Sequence, residues 1–178
     1  MNVPERHRLP LAAATSLVVV VVLGGAILLL NRPGTTPVTS PSATAVVSPN
    51  LDLTTPEGAV RAFFEAYAQA GKTDDPSIVM PFVTSKDSSA YLSVAAFLKG
   101  QKESGKASVT TVLRLENVQV QQAGSTATVS FDYVEGGYNI DPKTGQPLET
   151  PVVLPTTKVT AVVRQVGGNW LVDSYQSR

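Results

Sequence analysis

The chain has 178 residues, no cysteine and a formal net charge of zero at pH 7. That length allows one ordinary domain plus appendages. The missing cysteines exclude disulfides, thiol nucleophiles, cysteine-ligated zinc, iron–sulfur clusters and a lipidated-cysteine anchor, and the charge balance, with no basic run in the second half, speaks against nucleic-acid binding through phosphates.

Residues 1–10 form a short tail carrying Arg6, His7 and Arg8. Residues 11–30, LAAATSLVVVVVLGGAILLL, hold no charge. At a rise of ~1.5 Å per residue such a run spans ~30 Å, the thickness of a bilayer core. Basic residues precede it, and only Arg32 follows before Arg61. The positive-inside rule therefore predicts a single-pass plasma-membrane helix with its N-terminus in the cytoplasm and the rest outside. A cleaved signal peptide is the competing reading, with Ala43, Thr44 and Ala45 as a small-x-small site. The apolar run is longer than a signal peptide needs, so an uncleaved anchor fits better.

Residues 31–50, NRPGTTPVTSPSATAVVSPN, are rich in Thr, Ser and Pro and have no hydrophobic period. They predict a disordered, extended tether that buries no core. Residues 51–178 are then the extracytoplasmic domain. It opens on a well-marked helix: Thr55 as N-cap, Pro56 at the first helical position, and Val60, Phe63, Phe64 and Tyr67 along one apolar face. Gly71 is expected to end it. Asp75 caps a short turn that Pro81 interrupts. A third helix is expected from Asp87, with Tyr91, Val94, Ala95 and Leu98 inward and Gly100 as its stop.

The period then changes to two. Residues 108–122 and 126–134 read as strands joined by a turn at Gly124, the second with Ala127, Val129, Phe131 and Tyr133 on one face. Glu135 and Tyr138 flank Gly136 and Gly137, which read as a turn or bulge. Asp141–Gly145 is a turn signal, residues 152–166 a strand slowed at Pro155, and Gly167 and Gly168 a tight hairpin before the last strand, residues 170–175. The expected class is α+β: about three helices packed on a curved four-stranded antiparallel sheet.

TPEGAVRAFFEAYAQAG at the start of this domain and VTAVVRQVGGNWLVDSY at its end resemble the nuclear transport factor 2-like (NTF2-like) superfamily, the cystatin-like cone fold. The resemblance covers most of residues 54–176. It implies a first helix lying in the concave side of the sheet, with a space between them that enzymatic relatives such as ketosteroid isomerase use for Asp, His or Tyr. By that analogy a ligand pocket would be lined from Phe63, Tyr67, Tyr91, Phe131, Tyr133 and Trp170.

The outer domain offers no catalytic set. The single histidine, His7, lies in the tail, so no histidine acid, base or metal ligand is available outside. Asp132 and Asp173 alternate against their aromatic and apolar neighbours and are expected to face solvent. No phosphate-cradling loop, nucleophile elbow or calcium loop is present, and no cofactor or metal is implied. The expected function is that of a membrane-anchored, non-catalytic domain that binds a protein partner in the bacterial cell envelope, as scaffold or accessory. The layout resembles scaffold components of secretion and conjugation systems. The alternative is a small-molecule or lipid carrier using the cone cavity. A hydrolase or isomerase would need Asp132 or Asp173 buried and raised in pKa. A homodimer through the sheet face is compatible with each.

Overall fold

A computed structural model of the chain describes residues 52–178. The expected membrane span, residues 11–30, and the tether, residues 31–50, lie outside the described residues. Among the described residues, no helix is long and apolar enough to cross a membrane.

Helix α1 runs Pro56–Thr73. Thr55, in an extended conformation, accepts a hydrogen bond from the Gly58 amide on its side-chain oxygen, and Pro56 begins the first turn. This satisfies one of the donors that a helix start leaves free. Gly71 does not end the helix, as the sequence suggested. It stays helical, and its lack of a side chain serves close packing instead, the Ser108 hydroxyl standing where a Cβ would be. The left-handed cap falls to Asp74, φ 53°, whose amide donates to the Ala70 carbonyl. A 3₁₀ helix follows at Pro76–Phe82, capped by Asp75 and continuing through Pro81. Helix α2, Ser89–Glu103, starts from Ser88 rather than Asp87, the Ser88 hydroxyl accepting from the Tyr91 amide. It passes through Gly100, the expected stop, and the positive φ of 67° falls at Gly105 instead.

The strands are β1 Ala107–Ala123, β2 Thr126–Ile140, β3 Val152–Val153, β4 Thr157–Val166 and β5 Asn169–Ser177. They form one antiparallel sheet in the order β1-β2-β4-β5, with β3 also on β2. The sequence pattern predicts four long strands. The fifth arises because the run 152–166 breaks before Pro155: its first part pairs with Gly136 and Gly137, and its second with Thr126–Tyr133 of the same strand. The expected turn at Gly136 and Gly137 is likewise corrected, since both lie inside β2. They are glycines because neighbouring backbone comes close. A Cβ at Gly137 would overlap the Val109 carbonyl, and one at Gly136 would lie 3.0 Å from the Val152 oxygen. The bulge is on the partner strand, where β1 shifts register between Thr110 and Val112 and again between Glu116 and Gln119. Asn117, at the second shift, has φ 53°.

Helix α1 packs across all four long strands, and α2 packs mainly against β5 and the 3₁₀ helix. This is the expected α+β arrangement of three helical pieces on an antiparallel sheet. The core between the layers contains Val60, Phe63, Phe64, Leu98, Val129 and Trp170. The outer edge of β5 is partly covered, as Val83 bridges to Val172 and the Thr84 amide donates to the Val172 carbonyl at 3.0 Å. Along its other edge β1 meets no strand among the described residues.

Candidate functional site

The helix-facing side of β2 reads Ala127, Val129, Phe131, all buried, then Tyr133. Two residues on along the same face comes Glu135, half-buried like Tyr133, while Val134 and Gly136 on the other face are buried. Register brings further side chains to that end of the sheet. Glu135 lies opposite Leu113, and Gly137 opposite Thr110, on β1. On the other side the Leu154 amide donates to the Glu135 carbonyl at 2.9 Å and Val152 lies opposite Gly137, so Val152 and Leu154 fall on the same face as Glu135.

Aromatic rings fill the space beneath. Phe64 stands 4.9 Å from Tyr133 and 5.6 Å from Tyr175, and meets Phe131 edge-on at 5.5 Å. Phe63 lies 5.5 Å from Tyr175 and 6.5 Å from Tyr67. Tyr67 in turn meets Phe97 of α2 edge-on at 5.7 Å. Offset and edge-on pairs of this kind interlock firmly. Exposed apolar side chains are also present: Val152, 45% exposed, and Leu154, 48%, on the Glu135 face, Val153, 58%, on the opposite face with Gly136, and Phe97 of α2, 47%, beyond Tyr67.

Glu135 is partly buried. Its Oε1 accepts from the Thr110 hydroxyl at 3.4 Å. Burial pushes the Glu135 carboxyl above its usual range, and the neighbouring Tyr133 and Thr110 hydroxyls offset part of the effect. The phenols respond in the same sense. Burial first, and then the neighbouring Glu135 charge, pushes Tyr175 up to about 12, and burial likewise raises Tyr67 and Tyr133. Among the described residues no lysine or arginine forms an ion pair with Glu135.

The expected pocket residues divide. Phe63, Tyr67 and Tyr133 belong to this cluster, with Phe131 at its inner end. Tyr91 packs partly buried against the core, and Trp170 is buried with its amide donating to the Leu53 carbonyl at 2.8 Å. Asp132 lies on the opposite face of β2, accepting from Asn117 Nδ2 at 2.7 Å and from Lys158 Nζ at 3.3 Å. Those hydrogen bonds, Asn117's first, hold its carboxyl below the usual range, the reverse of what a general acid needs. Asp173 accepts from the Thr84 hydroxyl at 2.8 Å and pairs with Arg164 at 3.1 Å. Sequence reasoning misses Glu135, although the alternation 127, 129, 131, 133 points to it. Reading the two glycines as a turn ends the count one residue early.

Two surface hollows lie elsewhere. One of about 480 Å³ is lined by Asp52, Glu57, Arg61, Glu65 and Val120 at the start of α1. The other, of about 250 Å³, lies beside Asn117, Asp132, Lys158 and Arg178. Among the described residues no three His, Cys, Asp or Glu side chains converge as a metal site requires.

No protein-family model matches the chain, and no curated protein matches it either. Among solved structures it is similar to the intermembrane-space region of the chloroplast protein ARC6, at 16% identity and TM-score 0.52, over 72% of this chain and 98% of that one. That likeness is one of fold. It is also similar to an NTF2-like protein with a cystatin-like fold from Novosphingobium aromaticivorans, at 14% identity and TM-score 0.46, covering 68% and 80% of the two chains. An NTF2-like superfamily protein from Salmonella enterica stands at 14% and 0.46, covering 67% and 87%. Neither of the last two superposes well enough to carry an argument by itself.

Proposed function

We propose that residues 52–178 are an NTF2-like domain of the cystatin-like cone type, held outside the plasma membrane by residues 11–30 and the tether, and that this domain binds a protein partner in the bacterial cell envelope without catalysing a reaction. The observation that carries the reading is the exposed apolar run Val152, Val153 and Leu154 beside β2, a rim of the sheet that shows apolar side chains on both faces. Apolar side chains grouped in this way are costly in water and are stabilised when another surface covers them. Beneath the rim the interior is occupied by the protein's own rings, Phe63 being fully buried, so contact is offered at the surface. The β2–β3 pairing places the rim on a strand edge, which suits an extended segment of a partner.

Two experiments test this. A photoreactive side chain at Val153 of the full chain, in host membranes, is expected to yield a discrete protein adduct, and one at Gln121 in the distant β1–β2 hairpin none. Adducts at neither position, or at both alike, overturn the reading. For the address, the outer domain of intact cells is expected to be open to added protease while the chain resists extraction by alkaline carbonate; protection from the protease refutes it.

A catalytic reading has one observation in its favour: Glu135, a carboxyl that burial holds protonated to higher pH, beside three phenols. It would need the rings to part and admit a substrate.

A further inference from the structure

The sheet face turned away from the helices carries a hollow of about 250 Å³ that the partner-binding reading leaves unused. Register builds it from three strands. Gln119 of β1 lies opposite Ser130 of β2, and Ser130 opposite Thr160 of β4. Two residues along the same face, Asp132 lies opposite Lys158, with Asn117 beside it. Neighbouring strands stand ~4.8 Å apart, and same-face residues ~6.8 Å apart along a strand. The two rows therefore frame a patch of about 10 Å by 7 Å, the footprint of one six-membered sugar ring. Its floor is low because Ser130 and Thr160 are short, their hydroxyls 3.3 Å apart. Longer side chains border it: Asn117 and Gln119 from β1, Lys158 from β4, and Arg178, whose amide donates to the Lys158 carbonyl at 2.9 Å. Phe131 and Val159 also border the hollow, but their side chains are buried in the core, so the side chains it offers are polar.

Asn117 departs from the regular strand. It has φ 53° at the second register shift of β1, a left-handed conformation that Asn tolerates better than most residues. Bulges of this kind re-aim side chains. Here the amide is brought onto Asp132: Asn117 Nδ2 donates to Oδ2 at 2.7 Å, and Lys158 Nζ donates to Oδ1 at 3.3 Å. Asp132 is thereby fixed, its side chain 20% exposed, and each of its oxygens can accept one donor more. The Asn117 carbonyl, the Gln119 amide, the two hydroxyls and the other Lys158 hydrogens add donors and acceptors within a few ångströms. Asp132 and Lys158 balance in charge. Such a site matches a neutral ligand whose groups both donate and accept, as the adjacent hydroxyls of a sugar do.

We propose that this hollow binds one ring of a carbohydrate, Asp132 accepting from two neighbouring hydroxyls while Asn117, Gln119 and Lys158 donate to the ring's oxygens. The domain then has a second contact with its surroundings, a glycan, apart from its protein partner. No aromatic side chain offers a face for the ring to stack on, so a single ring binds weakly.

The test uses the full chain in lauryldimethylamine-oxide micelles, which contain no sugar, with backbone and side-chain amides followed by NMR. The probes are methyl α-D-glucopyranoside, methyl α-D-mannopyranoside and methyl N-acetyl-β-D-glucosaminide. Cyclohexanol, a ring with a single hydroxyl, is the control, and inorganic phosphate the rival, since Arg178 adds a cation at the border. At least one glycoside is expected to saturate the shifts of the Asn117 and Gln119 side-chain amides and of the Ser130, Asp132 and Thr160 backbone, leaving Val152 and Val153 in place. Asn117→Gly keeps the left-handed backbone and loses the amide; it is expected to bind at least fivefold more weakly. Asp132→Asn is expected to weaken binding by a similar factor, and the two variants guard against one that fails to fold. Gln121→Ala, opposite Thr128 and outside the hollow, is expected to bind as wild type does. No saturation by any glycoside, equal binding by wild type and either folded variant, or an equal response to cyclohexanol overturns the inference. Saturation by phosphate and not by the glycosides overturns it in favour of an anion site at Lys158 and Arg178.

Discussion

Burying a carboxylate raises its pKa because the charged form loses its water. For Glu135 the folded pKa lies above the unfolded one, so the folded state holds the extra proton. The resulting penalty is absent below the unfolded value of about 4.3 and grows as pH rises through the folded value. Glu135→Gln should therefore melt higher than wild type at neutral pH, and the gap should close below about pH 4; thermal melts across that range would show it. A gap of the opposite sign at pH 7 would mean that the ionised carboxylate is stabilised by a contact that Thr110 and Tyr133 do not account for. Phe63 carries the packing at this scale. It is fully buried and meets Phe64, Tyr67 and Tyr175. Phe63→Ala should cost about 3–5 kcal/mol in a urea titration.

At the scale of elements, glycine separates what could be read in the sequence from what could not. The start of α1 was legible because Thr55, Pro56 and the spacing of Val60, Phe63, Phe64 and Tyr67 are local signals that all agree. The helix ends were not, because a glycine stops a helix only if the chain needs a left-handed residue there. Gly71 is set by Ser108 on another element, and Gly100 faces open space, where an added methyl group would touch nothing. Gly100→Ala should accordingly stabilise α2 by about 0.5–1 kcal/mol, the ordinary cost of glycine inside a helix. Gly137→Ala should do the reverse, costing about 2–3 kcal/mol or more, since β1 must move to clear its Val109 carbonyl. Paired urea titrations decide both. Similar effects of the two substitutions would show that close approach at Gly137 is not what selects glycine there.

For the molecule as a whole, the alternation of residues 126–133 and the hairpin at Gly167 and Gly168, φ 59° and 91°, were enough to indicate an antiparallel sheet under helices. They were not enough to reveal the site. Its members come from α1, α2, β1, β2, β3 and β5, and what assembles them is register: Glu135 opposite Leu113, Leu154 opposite Glu135. No local pattern encodes that pairing, whereas each of the aromatic residues could be recognised singly as apolar and inward. The same dependence on register predicts that Leu154→Asp, placing a second carboxylate opposite Glu135, should raise the Glu135 pKa further and abolish the Val153 adduct. The pH dependence of tyrosine absorbance and the crosslink respectively would report these.

The outer edge of β1, which meets no strand among the described residues, has a further consequence. An open edge along a strand of seventeen residues would ordinarily invite another copy to add its own strand and so begin a fibre. Here the ladder is interrupted twice, and at Asn117 the backbone turns left-handed. A newcomer aligned with the first part of β1 would lose step before reaching the second, so growth by stacking is blocked by geometry, with little help from repulsive charge. A domain tethered in a crowd, as the anchored reading has it, gains from that: its neighbours can lie side by side at high density without templating one another.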